Sequence, residues 1–199
     1  MANNAVLNNR GGNLKAGQRL SLSTLNSDID LTSASVQAGS LAIDSGGKLI
    51  LATASSSRAS SGQSASSSGF SSNTRTQTDL GQTGSIAVAG NASIKTKGDF
   101  EQTGATLSVG ANLTADIGGS LILGAVQRAD TSQGAFQVRG ASGSSSSTFV
   151  QNITSSVQVG GNAQIKTGQD FTSQGANIAL NTNITTTQVY TRLDFQHLA

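Results

Sequence analysis

The sequence predicts an all-β fold. Short strands wind into a parallel β-helix with rungs of about 20 residues, broken by two hairpin-like excursions of about 32. Three observations carry this. Ser85–Leu123, SIAVAGNASIKTKGDFEQTGATLSVGANLTADIGGSLIL, returns from Ser156 as SVQVGGNAQIKTGQDFTSQGANIALNTNITTT. The shift is 71 residues, and Ile86–Val109 matches Val157–Leu180 at 11 of 24 positions without a gap. Apolar residues come in short pulses, two apart and bounded by Gly, Asn, Asp or Ser, which suits strands of a few residues between tight corners. The 199 residues include 24 Gly and no Pro, and none of their windows sustains a 3.6-residue apolar period.

In chain order, Asn8-Asn9 and Gly11-Gly12 supply turn residues ahead of Leu14, Leu20 and Leu22, which alternate with polar neighbours. Pulses follow at Ile29/Leu31, Val36, Leu41/Ile43 and Leu49/Leu51, making Leu14–Ala52 a looser copy of the unit. Residues 53–84 lose the pattern, and 11 of these 32 positions are Ser. The pulses resume at Ile86/Val88, Ile94, Phe100, Leu107/Val109, Leu113 and Leu121/Leu123, and again at Val157/Val159, Ile165, Phe171, Ile178/Leu180 and Ile184. The expected organisation over 1–199 is therefore coil 1–52, excursion 53–84, coil 85–123, excursion 124–155 and coil 156–199. Gly90-Asn91, Gly110-Ala111-Asn112, Gly161-Asn162 and Asn181-Thr182-Asn183 mark corners about 20 residues apart within each unit. Taking out both excursions leaves 135 residues, or roughly seven rungs. In the second excursion Ala135–Arg139 and Thr148–Thr154 alternate around GASGSSSS, the pattern of a hairpin with a loose Gly/Ser tip. The first excursion reads as a similar, weaker hairpin.

Composition narrows the function. A net charge of +2, from 12 basic and 10 acidic residues with no basic cluster, argues against nucleic-acid binding. The absence of Cys excludes disulfides and thiolate metal sites. No apolar run reaches membrane-spanning length, and Met1–Asn4 has neither the basic nor the apolar region of a signal peptide. The pattern stops mid-unit at Ala199, so a fragment of a longer repeat protein is expected.

Asp28, Asp99 and Asp170 hold the same place in three units. Equivalent positions two rungs apart are about 10 Å apart, too far to share a cation whose oxygens must lie within about 2.5 Å. Each is expected to accept backbone N–H groups at a corner. A β-helix polysaccharide hydrolase or lyase needs clustered carboxylates. Only Asp28/Asp30 and Asp99/Glu101 come close, and Thr172 replaces Glu101 in the third unit, so no enzyme, cofactor or metal is expected. His197, the single His, lacks a nucleophile context, and Tyr190 is read as a packing residue. Lys95, Lys97 and Lys166 should face solvent. Asn91, Asn112, Asn162 and Asn183 should stack as a structural ladder. Phe70, Phe136 and Phe149 are contact candidates if exposed, with anchoring of the excursions the expected role.

Leu7–Leu22, LNNRGGNLKAGQRLSL, resembles the haemagglutinin-type repeat of large bacterial exoproteins: an apolar residue, Asn and Gly-Gly, then alternation around Ala-Gly. The 71-residue unit with its Ser/Thr-rich excursion resembles a second repeat class in the same proteins. These are the filamentous-haemagglutinin-like adhesins, haemolysins and contact-dependent growth inhibition proteins of the two-partner secretion family. The resemblance implies a right-handed parallel β-helix filament, secreted through an outer-membrane partner transporter and folded at the bacterial cell surface. It further implies a receptor on a host or neighbouring cell, with membrane contact open. Two roles follow: a structural and adhesive stalk, or a module that helps carry a toxin domain across a target-cell outer membrane. SIAVAGNA also resembles the head repeat of trimeric autotransporter adhesins, but its period of about 14 residues is not sustained here.

Overall fold

The computed structural model describes residues 7–8, 11–180 and 191–193. These residues hold no helix. They form 18 strands in a curled mixed sheet, parallel in one part of the chain and antiparallel in another. Two compact units result: Gly81–Val126 with the described residues before Ser55 and after Ile153, and a second made of Ser55–Leu80 and Gln127–Ile153.

The strands in chain order are β1 (Leu7–Asn8), β2 (Asn13–Ser23), β3 (Ile29–Asp30), β4 (Ser35–Ser45), β5 (Leu49–Ala52), β6 (Ser55–Ser66) and β7 (Gly69–Leu80). Then come β8 (Ser85–Val88), β9 (Ala92–Thr96), β10 (Phe100–Thr103), β11 (Thr106–Val109), β12 (Leu113–Ile117) and β13 (Leu121–Val138). The last are β14 (Ala141–Val159), β15 (Ala163–Thr167), β16 (Phe171–Ser173), β17 (Ala176–Leu180) and β18 (Thr191–Leu193). Among the described residues of the first unit, parallel strand pairs fall into three stacks. One aligns Leu14, Val36, Ile86, Leu107, Val157 and Ile178. The next aligns Leu22, Ile43, Ile94, Ala115 and Ile165. The third aligns Ile29, Leu49, Phe100, Leu121 and Phe171, with β1 and β18 extending it to seven strands. Neighbouring strands in a stack lie about 21 residues apart where no excursion intervenes, as Ile86 and Leu107 or Phe100 and Leu121 do.

Alternation decides what fills the centre. Inward positions of β8 to β12 are buried and outward ones face solvent, so like stacks on like along the interior. Leu107 is 1% exposed between Ile86 and Val157. Leu14, Leu20, Ile165, Phe171 and Leu180 are only partly buried against this core, and Ile178 is exposed. The looser first copy shows why it is loose: a register shift between Ala16 and Arg19 interrupts the β2–β4 pair.

Corners obey the same stacking. Asp28 Oδ1 accepts the N–H of Lys48 at 2.6 Å, and Asp99 Oδ1 accepts that of Ser120 at 2.9 Å, so each carboxylate ties its corner to the next rung as expected. Asp170 joins the same corner stack through its backbone carbonyl, which accepts the N–H of Leu121 at 2.9 Å. Asn91 Oδ1 accepts from Asn112 N (3.1 Å) and Asn112 Oδ1 from Asn162 N (2.9 Å), which is the expected ladder. Asn183 lies outside the described residues, as do Ile184, Tyr190 and His197. Buried Thr96 and Thr167 donate their hydroxyls to the carbonyls of Gly98 and Gln169 in their own corners, at 2.7 and 3.0 Å. Lys95, Lys97 and Lys166 are exposed, with Lys97 Nζ donating to the Leu25 carbonyl at 3.1 Å.

The excursions leave this register untouched. Ser35, Ser85 and Thr106 each open a strand, Ser156 lies where β14 joins the parallel stack, and the four donate their N–H to the carbonyls of Gly12, Ala34, Gly84 and Ala105 at 2.8–2.9 Å. Two of these arrivals follow an excursion and two follow an ordinary corner, yet the bond is the same. The second return carries an added brace: fully buried Gln102 donates to the carbonyls of Ala105 (2.8 Å) and Ser156 (2.9 Å), and Ser155 Oγ donates to those of Gln102 and Gly124.

Two substitution sets test this packing by thermal or chemical denaturation. Leu107→Ala should cost about 2–5 kcal/mol, the range for a large-to-small change in a close-packed core. Gly119→Ala should destabilise by about 1–3 kcal/mol, because its Cβ would overlap Asp99 Oδ1 and the backbone behind it. Gly124→Ala, whose Cβ would meet only the Thr103 side chain at 3.6 Å, should be tolerated.

Candidate functional site

The second unit is an antiparallel sheet. β6 and β7 form a hairpin from Ser55↔Leu80 to Ser66↔Gly69. Residues of β13 and β14 beyond the coil form another, closed by a turn at Arg139–Gly140, where Gly140 takes φ +77. Its cross-strand neighbours are centred on that turn. Gln127 Nε2 donates to Asn152 Oδ1 at 3.2 Å, the Phe136 ring lies over Gly143, and Gly134 faces Ser145. The sequence places the tip at GASGSSSS; the structure makes Ala141–Ser147 part of β14 and confines the turn to two residues. Ser is short and polar enough to sit on either face of a strand in water, so it carries no signal that separates strand from loop.

The hairpins are also not independent arms. β7 pairs antiparallel with β13 over nine residues, from Gly69↔Val138 to Gln77↔Asp130, so the two excursions make one sheet in the strand order β6-β7-β13-β14. Asp130 links them further by accepting the N–H of Thr78 at 3.3 Å, while Arg128 holds its other oxygen at 3.1 Å. Arg58 pairs with Asp79 at 3.1 Å.

The strand residues of this sheet are almost all exposed or half-buried on both faces. Pairing and alternation put Phe136, Val138 and Phe149 on one face, and Phe70 and Val150 on the other. Phe70 is 42%, Phe136 51% and Phe149 53% exposed, the condition under which the sequence makes these rings contact candidates rather than anchors. Large apolar side chains left in water on a thin sheet are the chemistry of a contact surface.

The carboxylates of the coil form a different cluster. Lys48 lies in the stack between Asp28 and Asp99, and its Nζ bridges Asp99 (3.0 Å) and Glu101 (2.7 Å). The hydrogen bonds that the ammonium donates to Glu101 and then Asp99 hold it above its ordinary range. Asp99 is held below the usual carboxylate range, first by the Ser120 N–H and then by Lys48. Asp30 is buried and accepts the N–H and hydroxyl of Thr32 at 2.9 and 2.6 Å. The two acid pairs thus meet backbone and ammonium donors. The sequence reading missed Lys48 because an excursion separates it from Asp99; aligning the stacks across residues 53–84 would have found it. Among the described residues no group of three or more His, Cys, Asp or Glu could hold a metal ion.

Asp99 sets an acid limit on stability. A carboxylate whose pKa is lower in the folded chain stabilises the fold above its unfolded value of 3.8. That contribution is lost as pH falls through the folded value. The thermal midpoint should drop below about pH 4, and Asp99→Asn should remove part of that drop while lowering the midpoint at neutral pH.

Residues 2–79 and 64–137 match the hemagglutinin repeat family. The chain is 45% identical over 161 residues to Toxin CdiA of Yersinia pestis, covering 81% of this chain and 4% of that protein. It is 41% identical over 172 residues to tRNA nuclease CdiA-2 of Burkholderia pseudomallei strain 1026b, covering 86% and 5%. It is 42% identical over 151 residues to a tRNA nuclease CdiA of Burkholderia pseudomallei, covering 76% and 11%. The chain thus spans only 4–11% of the length of these relatives. No solved structure is significantly similar. The chain belongs to the hemagglutinin repeat family, as a repeat segment of the kind carried by large, secreted, surface-exposed CdiA-type exoproteins.

Proposed function

We propose that this segment is a structural and adhesive stalk, a right-handed parallel β-helix whose excursions form the surface that meets another cell. The observation that carries the reading is the exposure of Phe70, Phe136 and Phe149 on a sheet whose strands have water on both sides. Coil and sheet have different jobs in it. The coil supplies length through repeated stacking, and the sheet supplies side chains that a receptor can cover. The segment is non-catalytic in this reading and takes no cofactor and no nucleic acid. Its parent reaches the surface through an outer-membrane partner transporter, and its receptor sits on a host or neighbouring cell.

Similarity to proteins named Toxin CdiA and tRNA nuclease CdiA favours a second role, delivery of a toxin domain across a target outer membrane. The sheet itself supports the stalk. A lipid-facing strand set needs one continuous apolar face. Here apolar residues are divided between two faces, and the face bearing Phe136 also carries the Arg58–Asp79 and Arg128–Asp130 pairs.

Full-length chain in which Phe70, Phe136 and Phe149 are changed to Ser separates these readings. Binding to bacterial and epithelial cells should fall about tenfold or more, as for loss of buried aromatic anchors, with an unchanged circular dichroism spectrum. Undiminished cell binding would remove the sheet from the contact surface. Flotation of the unaltered chain with liposomes, and release of their contents, would favour delivery instead.

A further inference from the structure

The excess positive charge of the chain sits in one place. Of its 12 basic and 10 acidic residues, four and two fall in the sheet of the excursions. The rest of the chain balances at eight of each, so the net charge of +2 belongs to the sheet. Both acids of the sheet are paired, Asp79 with Arg58 and Asp130 with Arg128. Residues 59–78 and 131–153 carry Arg75 and Arg139 and no acid. Both of these arginines are exposed.

Arg75 shares a face with Phe136. Pairing sets Ser71, Asn73 and Arg75 of β7 beside Phe136, Gly134 and Ser132 of β13. At the rise of a β-strand, the strip from the Phe136 row to the Arg75 row is about 14 Å long. The Phe136 ring leans across the sheet onto Gly143, where an added Cβ would overlap it, and its outer side is left in water. Between the two ends Gly134 has no side chain, and Ser145 Oγ stands beside it on the neighbouring strand. The strip therefore offers an aromatic ring at one end, a guanidinium at the other, and hydroxyls and an amide between.

We infer that this strip binds an acidic saccharide, a short sugar chain bearing carboxylates. The inference rests on the contact role proposed above and names the chemistry that the receptor presents. A sugar ring has a face of C–H groups, which the negative face of an aromatic ring attracts. Its rim of hydroxyls matches Ser71, Asn73 and Ser145, whose side chains both donate and accept. A carboxylate takes a guanidinium through two parallel hydrogen bonds. A protein epitope is a poorer match, because its anchors need a desolvated apolar centre. The neighbours of Phe136 toward Arg75 are Ser, Asn and Gly.

Oligogalacturonate is the probe, titrated into the full-length chain. The same oligosaccharide with its carboxylates reduced to alcohols, and polyglutamate, are the controls. R75S should weaken binding of the probe about tenfold, the loss of one charge-assisted bond. F136S should weaken it about threefold or more, the loss of one aromatic contact, with an unchanged circular dichroism spectrum in both variants. Binding to the unaltered chain should also weaken as salt is raised, a readout that needs no substitution. On cells, excess oligogalacturonate should release the unaltered chain. A reduced oligosaccharide or a polyglutamate that binds as tightly as the probe overturns the inference. If the change of Phe70, Phe136 and Phe149 to Ser abolishes cell binding but oligogalacturonate does not compete for it, the contact role stands and the saccharide is overturned. Cell binding that survives the triple change overturns both.

Discussion

The backbone of each rung is hydrogen-bonded in register to the rung before it, and everything else in the coil answers to that spacing. Strands about 4.8 Å apart bring identical positions into contact. An inward Leu therefore meets Leu, Ile, Val or Phe above and below it, as Leu107 meets Ile86 and Val157. Corners are pressed together just as closely. An added Cβ on Gly110 would overlap the carbonyl of Ala89, and one on Gly119 would overlap Asp99. Asp99 and Asn112 use the same proximity productively, each offering a side-chain oxygen to an N–H one rung on.

This constraint also explains how excursions are tolerated. A ladder requires that the chain return at the right place and is indifferent to the path between. Ser156 lands on Ala105 by the same bond that Thr106 makes to Gly84, although one follows an excursion and the other a corner. Cost arises only at the points of exit and return, where polar groups lose regular partners. Gln102, buried in a stack whose neighbours are Leu51 and Leu123, offsets that loss by donating to Ala105 and Ser156. Among the described residues its own Oε1 has no hydrogen-bond partner, a penalty accepted where the return is held. A rigid coil that permits long insertions is a scaffold on which surface chemistry can change without disturbing the fold.

The sheet of the excursions works by different physics. Its strands have water on both sides and little apolar area to hide, so backbone bonds between four neighbouring strands supply most of its order. That explains its composition: Ser and Thr satisfy solvent on both faces. The few large apolar side chains stand out because no core requires them.

The sequence by itself determined the all-β character and the stacked apolar positions of the first unit. Its 71-residue repeat, its inward Ile, Leu, Val and Phe, the corner Asp28 and Asp99, and the Asn91–Asn112–Asn162 ladder were all legible, because stacking forces a local pattern to recur at a fixed interval. Tertiary structure alone decided which residues meet across an excursion. Lys48 between Asp99 and Glu101, Gln102 beneath Ser156, and β7 against β13 all join residues about 50 to 70 positions apart in the chain. Such meetings depend on where a strand lands after a detour. A Ser-rich strand solvated on both faces leaves no periodic trace of that landing in the sequence.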